Sequence, residues 1–383
     1  MTSRNLVRVL ATVFCFLFPL PYSASAQSSD PADAIALQQQ GKLAEAAEAW
    51  RSVIQRNPRD AAANASLGVV LSKQQKYKEA AAAYERAIAL DPNLPGVQLN
   101  LGLAEFKQGH FLAAIAPLRA ASTADTQNQQ AVTLLGLSYY GAKDFAEAAK
   151  YLEAAARGDP NNAELHQVLA QSCLWAKKYS CALDEFHLIL QQSPDSSSAH
   201  MLTGEALDGL EKTPEAIREF QAAEKVSPQD PNVHFGLGYL YWKSHQFDEA
   251  KAEFEKVLSL DPKHPQALAY LGDLEMKKVN LTEALTLLQK AVAAKSDIRL
   301  PYIDMGAIFI QQKRYPEALA ALRRAVELDP AQPDAHYRLG RAYQAMGKAA
   351  ESEKEFAKVR ELHEKADEPL ASKMSASPPA LPQ

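Results

Sequence analysis

Four histidines fall at one position of a 34-residue spacing: His166, His200, His234 and His336. Imidazole binds Zn²⁺ and titrates near neutral pH, so such a ladder could hold a metal ion or sense acid. Neighbouring helices in a stack lie about 9–10 Å apart, which is too far for two imidazoles to share one zinc ion easily. We therefore favour a packing role, with each histidine in the place of a half-buried aromatic residue, and predict no metal site.

Other sequence features give little support for catalysis. Gly236-Leu237-Gly238 is similar to the start of a phosphate-binding loop, but it lies inside a predicted helix with no strand before it. The paired carboxylates Asp248 and Glu249 lie at an exposed helix start, where they are expected to be solvated. The sequence contains no HExxH, GxSxG or P-loop pattern. We therefore predict no catalytic site and no cofactor.

One predicted helix, in the sequence HFGLGYLYWK, has two apolar faces. Leu237 and Tyr241 lie on the first face, whereas Phe235, Tyr239 and Trp242 lie on the second. A surface helix normally needs only one apolar face to bury against its own core. The second face is therefore a candidate binding surface.

A 34-residue internal repeat organises the elements that carry these residues. An alanine column runs from Ala46 to Ala318, a proline column runs from Pro58 to Pro330, and a column of large residues runs from Trp50 to Phe356. Half of the chain's 16 glycines share one column: Gly68, Gly102, Gly136, Gly204, Gly238, Gly272, Gly306 and Gly340.

These columns predict a helical hairpin in each unit. Small residues at two columns let antiparallel helices approach closely, and the large column fills the space beside them. Proline ends the second helix because it lacks the N–H that a helix interior needs. Such hairpins bury their apolar faces only by stacking, so we expect ten of them to share one continuous core.

The chain resembles the tetratricopeptide repeat (TPR) family. The segment LGYLYWKSHQFDEAKAEFEKVLSLDP, residues 237–262, has the leucine-glycine, tyrosine, alanine, phenylalanine and proline pattern of that family. The resemblance implies an all-α fold, a right-handed α-solenoid superhelix of about ten helix-turn-helix repeats over residues 27–366. The units would start near residues 27, 61, 95, 129, 163, 197, 231, 265, 299 and 333. We expect residues 367–383 to form a disordered tail.

In this architecture the first helix of each unit would line a concave groove. Apolar groups on these helices could instead pack against neighbouring first helices and leave little free surface. Three large aromatic residues on one helix exceed what stacking needs, so we favour a partner-binding groove. Its predicted lining is Leu99, Leu103, Phe106, Tyr140, Trp175, Met201, Phe235, Tyr239, Trp242 and Met276.

The first 26 residues have the features of an export signal. Arg4 and Arg8 precede a short apolar core, and the small residues Ala24-Ser25-Ala26 offer a cleavage site. The apolar run is short for spanning a bilayer, so we expect cleavage and a periplasmic or secreted protein. Cys15 follows Phe14 rather than the small residue that lipid attachment prefers, which argues against a lipoprotein.

Composition bears on the partner class. Without the two arginines of the signal, the chain has 39 basic and 46 acidic residues, a formal charge of −7, and no basic block. This balance argues against nucleic acid as the main partner. No later segment has a membrane-length apolar run, so we expect no membrane-spanning helix after signal cleavage.

Seven residues separate Cys173 from Cys181 across the turn of one predicted hairpin. An exported protein meets oxidising conditions, which favour pairing, and the antiparallel helices bring Cys173 opposite the residues next to Cys181. We expect a disulfide; two unpaired cysteines are the alternative.

The sequence as a whole indicates a non-enzymatic, exported scaffold that binds a peptide segment or partner protein in an apolar, aromatic groove. The alternative is a periplasmic envelope or polysaccharide-export assembly factor that binds a glycan chain, because tyrosine and tryptophan beside acids and amides also suit sugar stacking. Capture of partners from envelope extract, compared with binding to a glycan array, separates the two.

Overall fold

The computed structural model of the chain describes residues 29–375, with side-chain environments for residues 31–365. All regular secondary structure in this range is helical, in twenty helices that alternate as first and second helices of a repeat. The first helices are α1 Ser29–Gln39, α3 Ala61–Lys73, α5 Val97–Lys107, α7 Gln129–Gly141, α9 Ala163–Trp175, α11 Ser197–Gly209, α13 Pro231–Lys243, α15 Pro265–Lys277, α17 Arg299–Gln311 and α19 Pro333–Ala345. The second helices are α2 Leu43–Arg56, α4 Tyr77–Leu90, α6 Phe111–Ala124, α8 Phe145–Gly158, α10 Tyr179–Gln192, α12 Thr213–Val226, α14 Phe247–Leu260, α16 Leu281–Ala294, α18 Tyr315–Leu328 and α20 Ala349–Ser375. The prediction of an all-α repeat protein is confirmed.

Polar side chains cap many of the first helices. Asp60, Asn128 and Asn162 each accept a hydrogen bond from the backbone N–H three residues later, at 2.8, 2.9 and 3.0 Å. These bonds satisfy backbone donors that the first helical turn leaves open. In these repeats the capping residue therefore marks where the first helix begins.

Close packing between the glycine and large-residue columns joins the two helices of a hairpin. A Cβ atom added at Gly238 would lie 2.6 Å from the ring of Phe254, and one at Gly340 would lie 2.7 Å from Phe356. The alanine column is fully buried from Ala46 to Ala318. The predicted pairing of small and large columns therefore holds the hairpins together.

The chain divides into two compact units, one ending at Lys212 and one beginning at Thr213. The division falls in the turn between α11 and α12, inside the sixth repeat. One continuous core over all ten repeats was predicted, and it stays a prediction. The buried residues of α11 are small ones only, namely Ala199, Thr203, Gly204 and Ala206.

The last helix differs from the predicted chain end. α20 continues to Ser375, so residues 367–375 of the predicted disordered tail are helical here. In α20 the side chain of Glu361 accepts hydrogen bonds from Lys358 at 2.9 Å and from Lys365 at 2.6 Å, and such pairs support a helix without a following repeat. The predicted signal, residues 1–26, and residues 376–383 lie outside the described range.

No helix among the described residues combines the length and the apolar character needed to cross a membrane.

Candidate functional site

Three aromatic side chains form a half-buried group in the unit that begins at Thr213: Tyr239 and Trp242 of α13 with Tyr270 of α15. We call it the C-terminal aromatic cluster. The ring centroids of Trp242 and Tyr270 lie 5.0 Å apart in an edge-to-face arrangement. Tyr239 lies 6.2 Å from Trp242 and 5.9 Å from Tyr270. The second apolar face of α13 therefore packs partly on the next first helix, while each ring keeps part of its surface open.

Phe235 extends this cluster along α13. Its ring centroid lies 5.2 Å from His264, 5.9 Å from Phe254 and 6.0 Å from Tyr270, and its side chain is half-buried. All three aromatic residues of the predicted second face therefore lie on one surface.

A buried carboxylate anchors the polar edge of the cluster. The indole N–H of Trp242 donates to Asp273 Oδ2 at 2.6 Å, and Lys277 Nζ donates to both oxygens of Asp273 at 2.5 and 2.6 Å. Lys277 Nζ also lies 5.5 Å from the centroid of the Trp242 ring, within the range of a cation–π contact. These bonds orient the indole and place a positive charge beside it.

A second acid, Asp304 of α17, lies near this network. Its side chain is 3% exposed, and Oδ2 has no hydrogen-bond partner within the described part of the chain. Burial, with a smaller contribution from the charge of Asp273, raises the pKa of Asp304 to about 7, although Arg338 and Lys277 act in the opposite direction. Burial and the nearby Tyr239 and acids also raise the pKa of Tyr270 to about 12.

A second aromatic group lies in the unit that ends at Lys212. Trp175 of α9 stacks 5.8 Å from Tyr140 of α7 and lies 4.9 Å from Phe145 of α8. Trp175 is 42% exposed, and the Tyr140 hydroxyl donates to Gln171 Oε1 at 2.7 Å. Phe145 was not predicted. It lies at the start of a second helix, whereas the predicted groove residues all lie on first helices.

Three predicted groove residues are corrected. Leu99, Leu103 and Phe106 of α5 are buried in the core together with Leu134 and other residues of the next repeat. They cannot line an open groove, because neighbouring side chains cover them. Met201 and Met276 are half-buried.

The two cysteines of the fifth repeat form a disulfide. Cys173 of α9 and Cys181 of α10 are bonded, with their Cα atoms 5.8 Å apart. The bond ties the two helices of this hairpin across the turn. Cys173 is fully buried, and Cys181 is half-buried.

The histidine ladder connects successive repeats through hydrogen bonds. Nε2 of His234 contacts the carbonyl oxygen of Pro228 at 2.9 Å, and Nδ1 contacts Glu253 at 2.8 Å. His166 makes the same two contacts, at 3.1 Å to Pro160 and 2.5 Å to Glu185. Each ring thus joins the end of one repeat to the second helix of the next.

The two remaining histidines each show one of these two contacts. His200 Nε2 contacts the Pro194 carbonyl at 2.9 Å, and His336 Nδ1 contacts Glu355 at 2.6 Å. The glutamate partners were not predicted from the sequence. A signal was present, because Glu185, Glu253 and Glu355 are themselves separated by multiples of the repeat length.

Comparison with solved structures finds helical repeat proteins of low similarity. A structure titled MamA MSR-1 is 25% identical, covers 43% of this chain and 95% of its own, and has a TM-score of 0.39. Yeast Tom70 is 14% identical, covers 87% of this chain and 91% of its own, and has a TM-score of 0.45. MamA from Desulfovibrio magneticus RS-1 is 20% identical over 44% of this chain and 95% of its own, with a TM-score of 0.40. Comparison with curated protein sequences finds no match.

Family profiles match along most of the chain. One tetratricopeptide repeat profile matches residues 32–95, 99–163 and 235–297, which together make half of the sequence. Two further tetratricopeptide repeat profiles match residues 139–206 and 334–366, and a TPR repeat profile matches residues 210–244 and 306–347. Together with the helical hairpins and their packed columns, these matches show that the chain belongs to the tetratricopeptide repeat family.

Proposed function

We propose that this protein is an exported, non-enzymatic scaffold that binds a segment of a partner protein on the first helices of its repeats. Membership of the tetratricopeptide repeat family supports the general role, since its repeats serve as protein-interaction scaffolds. The observation that carries the proposal is the C-terminal aromatic cluster, whose rings keep exposed surface that stacking has not covered.

Trp242 is the best candidate for an anchor in this surface. Large aromatic residues that are held rigid and then buried by a partner dominate the energetics of many interfaces. Its indole is fixed by the bond to Asp273 and by the edge of Tyr270, so little side-chain entropy is lost when a partner covers it. Asp273 and Lys277 supply polar groups beside the rings that can set the register of a bound segment.

Substitution of Trp242 by Ala tests the proposal. Partner proteins are first captured from envelope extract with the chain carrying a photo-crosslinking residue at Tyr239, and affinity is then measured with the purified partner. We expect Trp242→Ala to weaken binding by about 2 kcal/mol or more. Leu237→Ala, in the buried face of the same helix, is the matched control, and we expect it to cost about 2–5 kcal/mol of folding stability.

The two variants distinguish an anchor from a core residue. Trp242→Ala should cost less stability than Leu237→Ala, and its folded fraction should bind poorly. If Trp242→Ala unfolds the protein while its folded fraction binds normally, the surface is core and the proposal fails. Binding on a glycan array, without any captured protein, would favour a glycan-binding assembly factor instead.

Export is a separate part of the proposal, supported by the basic, apolar and small-residue order of the first 26 residues. Expression of the full chain in a host with a general secretion system tests it. The expected product begins at Gln27 and is recovered outside the cytoplasm. A product that begins at Met1 in the cytoplasm would contradict export without touching the binding proposal.

A further inference from the structure

We propose that Glu224, His234 and Glu253 form a binding site for a divalent transition-metal ion of the zinc class. The three residues lie on consecutive helices, α12, α13 and α14, of the unit that begins at Thr213. One ligand atom from each lies within 4.8 Å of the other two. One imidazole nitrogen and two carboxylate oxygens are a ligand set that Zn²⁺ accepts in proteins.

The spacing of the ligand atoms suits a tetrahedral ion. Metal–ligand bonds of about 2.0–2.2 Å place neighbouring ligand atoms about 3.3–3.6 Å apart. His234 Nδ1 lies 2.8 Å from Glu253 Oε2 and 3.8 Å from Glu224 Oε1. The required separation lies between these two distances, so small side-chain rotations bring the three atoms around one ion. Glu224 has 29% of its side chain exposed, which leaves a fourth position facing solvent.

The second nitrogen of His234 orients the ring for this role. Nε2 faces the Pro228 carbonyl oxygen at 2.9 Å, so that nitrogen carries a hydrogen and donates it. Metal-binding histidines commonly donate their other N–H to a backbone carbonyl in this manner, which points the remaining nitrogen at the ion. That nitrogen, Nδ1, lies 2.8 Å from Glu253 Oε2. At this distance a hydrogen-bonding proton must lie between the nitrogen and the oxygen. A divalent ion can replace this proton and bind both atoms at once.

A lysine occupies the charge-balancing position in the structure. Lys256 Nζ lies 3.0 Å from Glu224 Oε1 and 2.9 Å from Glu253 Oε1. Its side chain is 48% exposed, whereas the side chains of His234 and Glu253 are 4% and 11% exposed. An entering ion would displace the flexible lysine head into solvent and leave the buried ligands in place. Lys256 is therefore the competitor of the metal.

The repeat itself shows that the third ligand is specific to this site. His166 has the same carbonyl and glutamate contacts, yet Ala156 stands where His234 has Glu224. The corresponding residues for His200 and His336 are Leu190 and Val326. The expectation of no metal site concerned imidazoles of neighbouring repeats. Here a single imidazole is combined with acids from the two flanking second helices.

Metal titration of the tag-free mature chain tests the proposal. We expect one Zn²⁺ per chain by calorimetry, and Co²⁺ should give the visible absorption of a four-coordinate ion that Zn²⁺ then abolishes. Glu224→Gln and His234→Gln should each lower the affinity at least tenfold. Lys256→Met should raise the affinity, because the competing ammonium is gone. His166→Gln is the matched control and should bind like the wild type.

The outcomes separate a metal site from a structural ion-pair network. No stoichiometric binding by the wild type would overturn the proposal, as would equal losses in His166→Gln and His234→Gln. Should His234→Gln fail to fold, Glu224→Gln decides, because this half-exposed residue lies at the edge of the network. Unchanged affinity in a folded Glu224→Gln, shown by its helical circular dichroism, would also overturn it. As an independent readout, Zn²⁺ should raise the thermal midpoint of the wild type and of His166→Gln, and should raise that of Glu224→Gln and His234→Gln much less.

Discussion

At the scale of single residues, one turn position of the repeat has a left-handed backbone conformation, with positive φ. In seven repeats a non-glycine residue has φ between 59° and 64°: Gln75, Lys143, Lys177, Glu211, His245, Val279 and Lys313. Three other repeats have Gly41, Gly109 and Gly347 at this position. Side chains with a Cβ are strained in this left-handed region, and β-branched ones most of all. Val279 is therefore the most strained residue in the set.

Replacement of Val279 by Asn relieves this strain. Val279 is 66% exposed, so little packing is lost, and asparagine tolerates the left-handed region better than other non-glycine residues. We expect Val279→Asn to raise the free energy of unfolding by about 1 kcal/mol, measured by urea denaturation. Lys313→Asn at the same position of the next repeat is the control and should gain less. A loss of stability in Val279→Asn would show that the turn is not strained.

The buried acid Asp304 makes stability depend on pH. Its pKa is raised in the folded state to about 7, so the folded protein holds a proton that the unfolded chain releases near pH 4. The folded state therefore binds more protons between these values, and stability falls as the pH rises through that window. Asp304→Asn, which removes this titration, should be more stable than the wild type at pH 8, by an amount of the order of a few kcal/mol.

The pH profile gives the contrast needed to check this prediction. At pH 4 the wild-type carboxyl is protonated in the folded state and about half protonated in the unfolded state, so little of the pH-dependent loss has occurred and the variant and the wild type should differ little. Thermal midpoints at pH 4 and pH 8 provide the measurement. If Asp304→Asn raised the thermal midpoint equally at pH 4 and pH 8, the gain would come from a change in packing and not from the titration of Asp304.

At the scale of elements, the disulfide makes the fifth hairpin different from the others. Closing the short loop between Cys173 and Cys181 removes conformations from the unfolded chain, which stabilises the folded state by about 2–3 kcal/mol in the chain-entropy account. We expect a reducing agent to lower the thermal midpoint of the exported protein. Alkylation and mass spectrometry without reductant should find neither cysteine modified.

A double variant, Cys173→Ala with Cys181→Ala, supplies the control for this effect. Its thermal midpoint should be lower than that of the oxidised wild type and insensitive to reductant. Two alkylatable thiols in the exported, unreduced protein would contradict the disulfide.

At the scale of the whole molecule, the chain is two compact units, although the repeat period continues unbroken through the boundary. Each unit has its own buried core. The unit that ends at Lys212 has its largest cluster around Leu134, Leu152 and Phe186, and the other unit has clusters around Phe254 and Leu322. A unit with its own core is expected to fold alone.

We therefore expect residues 213–383, expressed alone, to be helical by circular dichroism and to unfold cooperatively in urea. A fragment that begins at Phe247 is the control, since it removes α13 from the hairpin that α13 forms with α14. The glycine column of α13 packs on Phe254, so this cut exposes a large core residue and should lower stability. A disordered 213–383 fragment would show that this unit needs the preceding repeats.

The sequence by itself determined the local architecture of this protein. The capping residues, the glycine and alanine columns and the prolines act over one turn or one hairpin, so a pattern of residue types is enough to predict twenty helices and the contact between Gly238 and Phe254. Even the aromatic face of α13 could be read from helical spacing, since Phe235, Tyr239 and Trp242 must lie on one side of a helix.

Only the tertiary structure decided which parts of that pattern are accessible and which are joined. Leu99 and Trp175 both belong to the predicted groove, yet the first is covered by the next repeat and the second is open, because exposure depends on the side chains of neighbouring helices. The position of Glu224 beside His234 required the approach of α12 to α13. Side-chain exposure and contacts between helices depend on several helices at once, and a repeat period does not encode them.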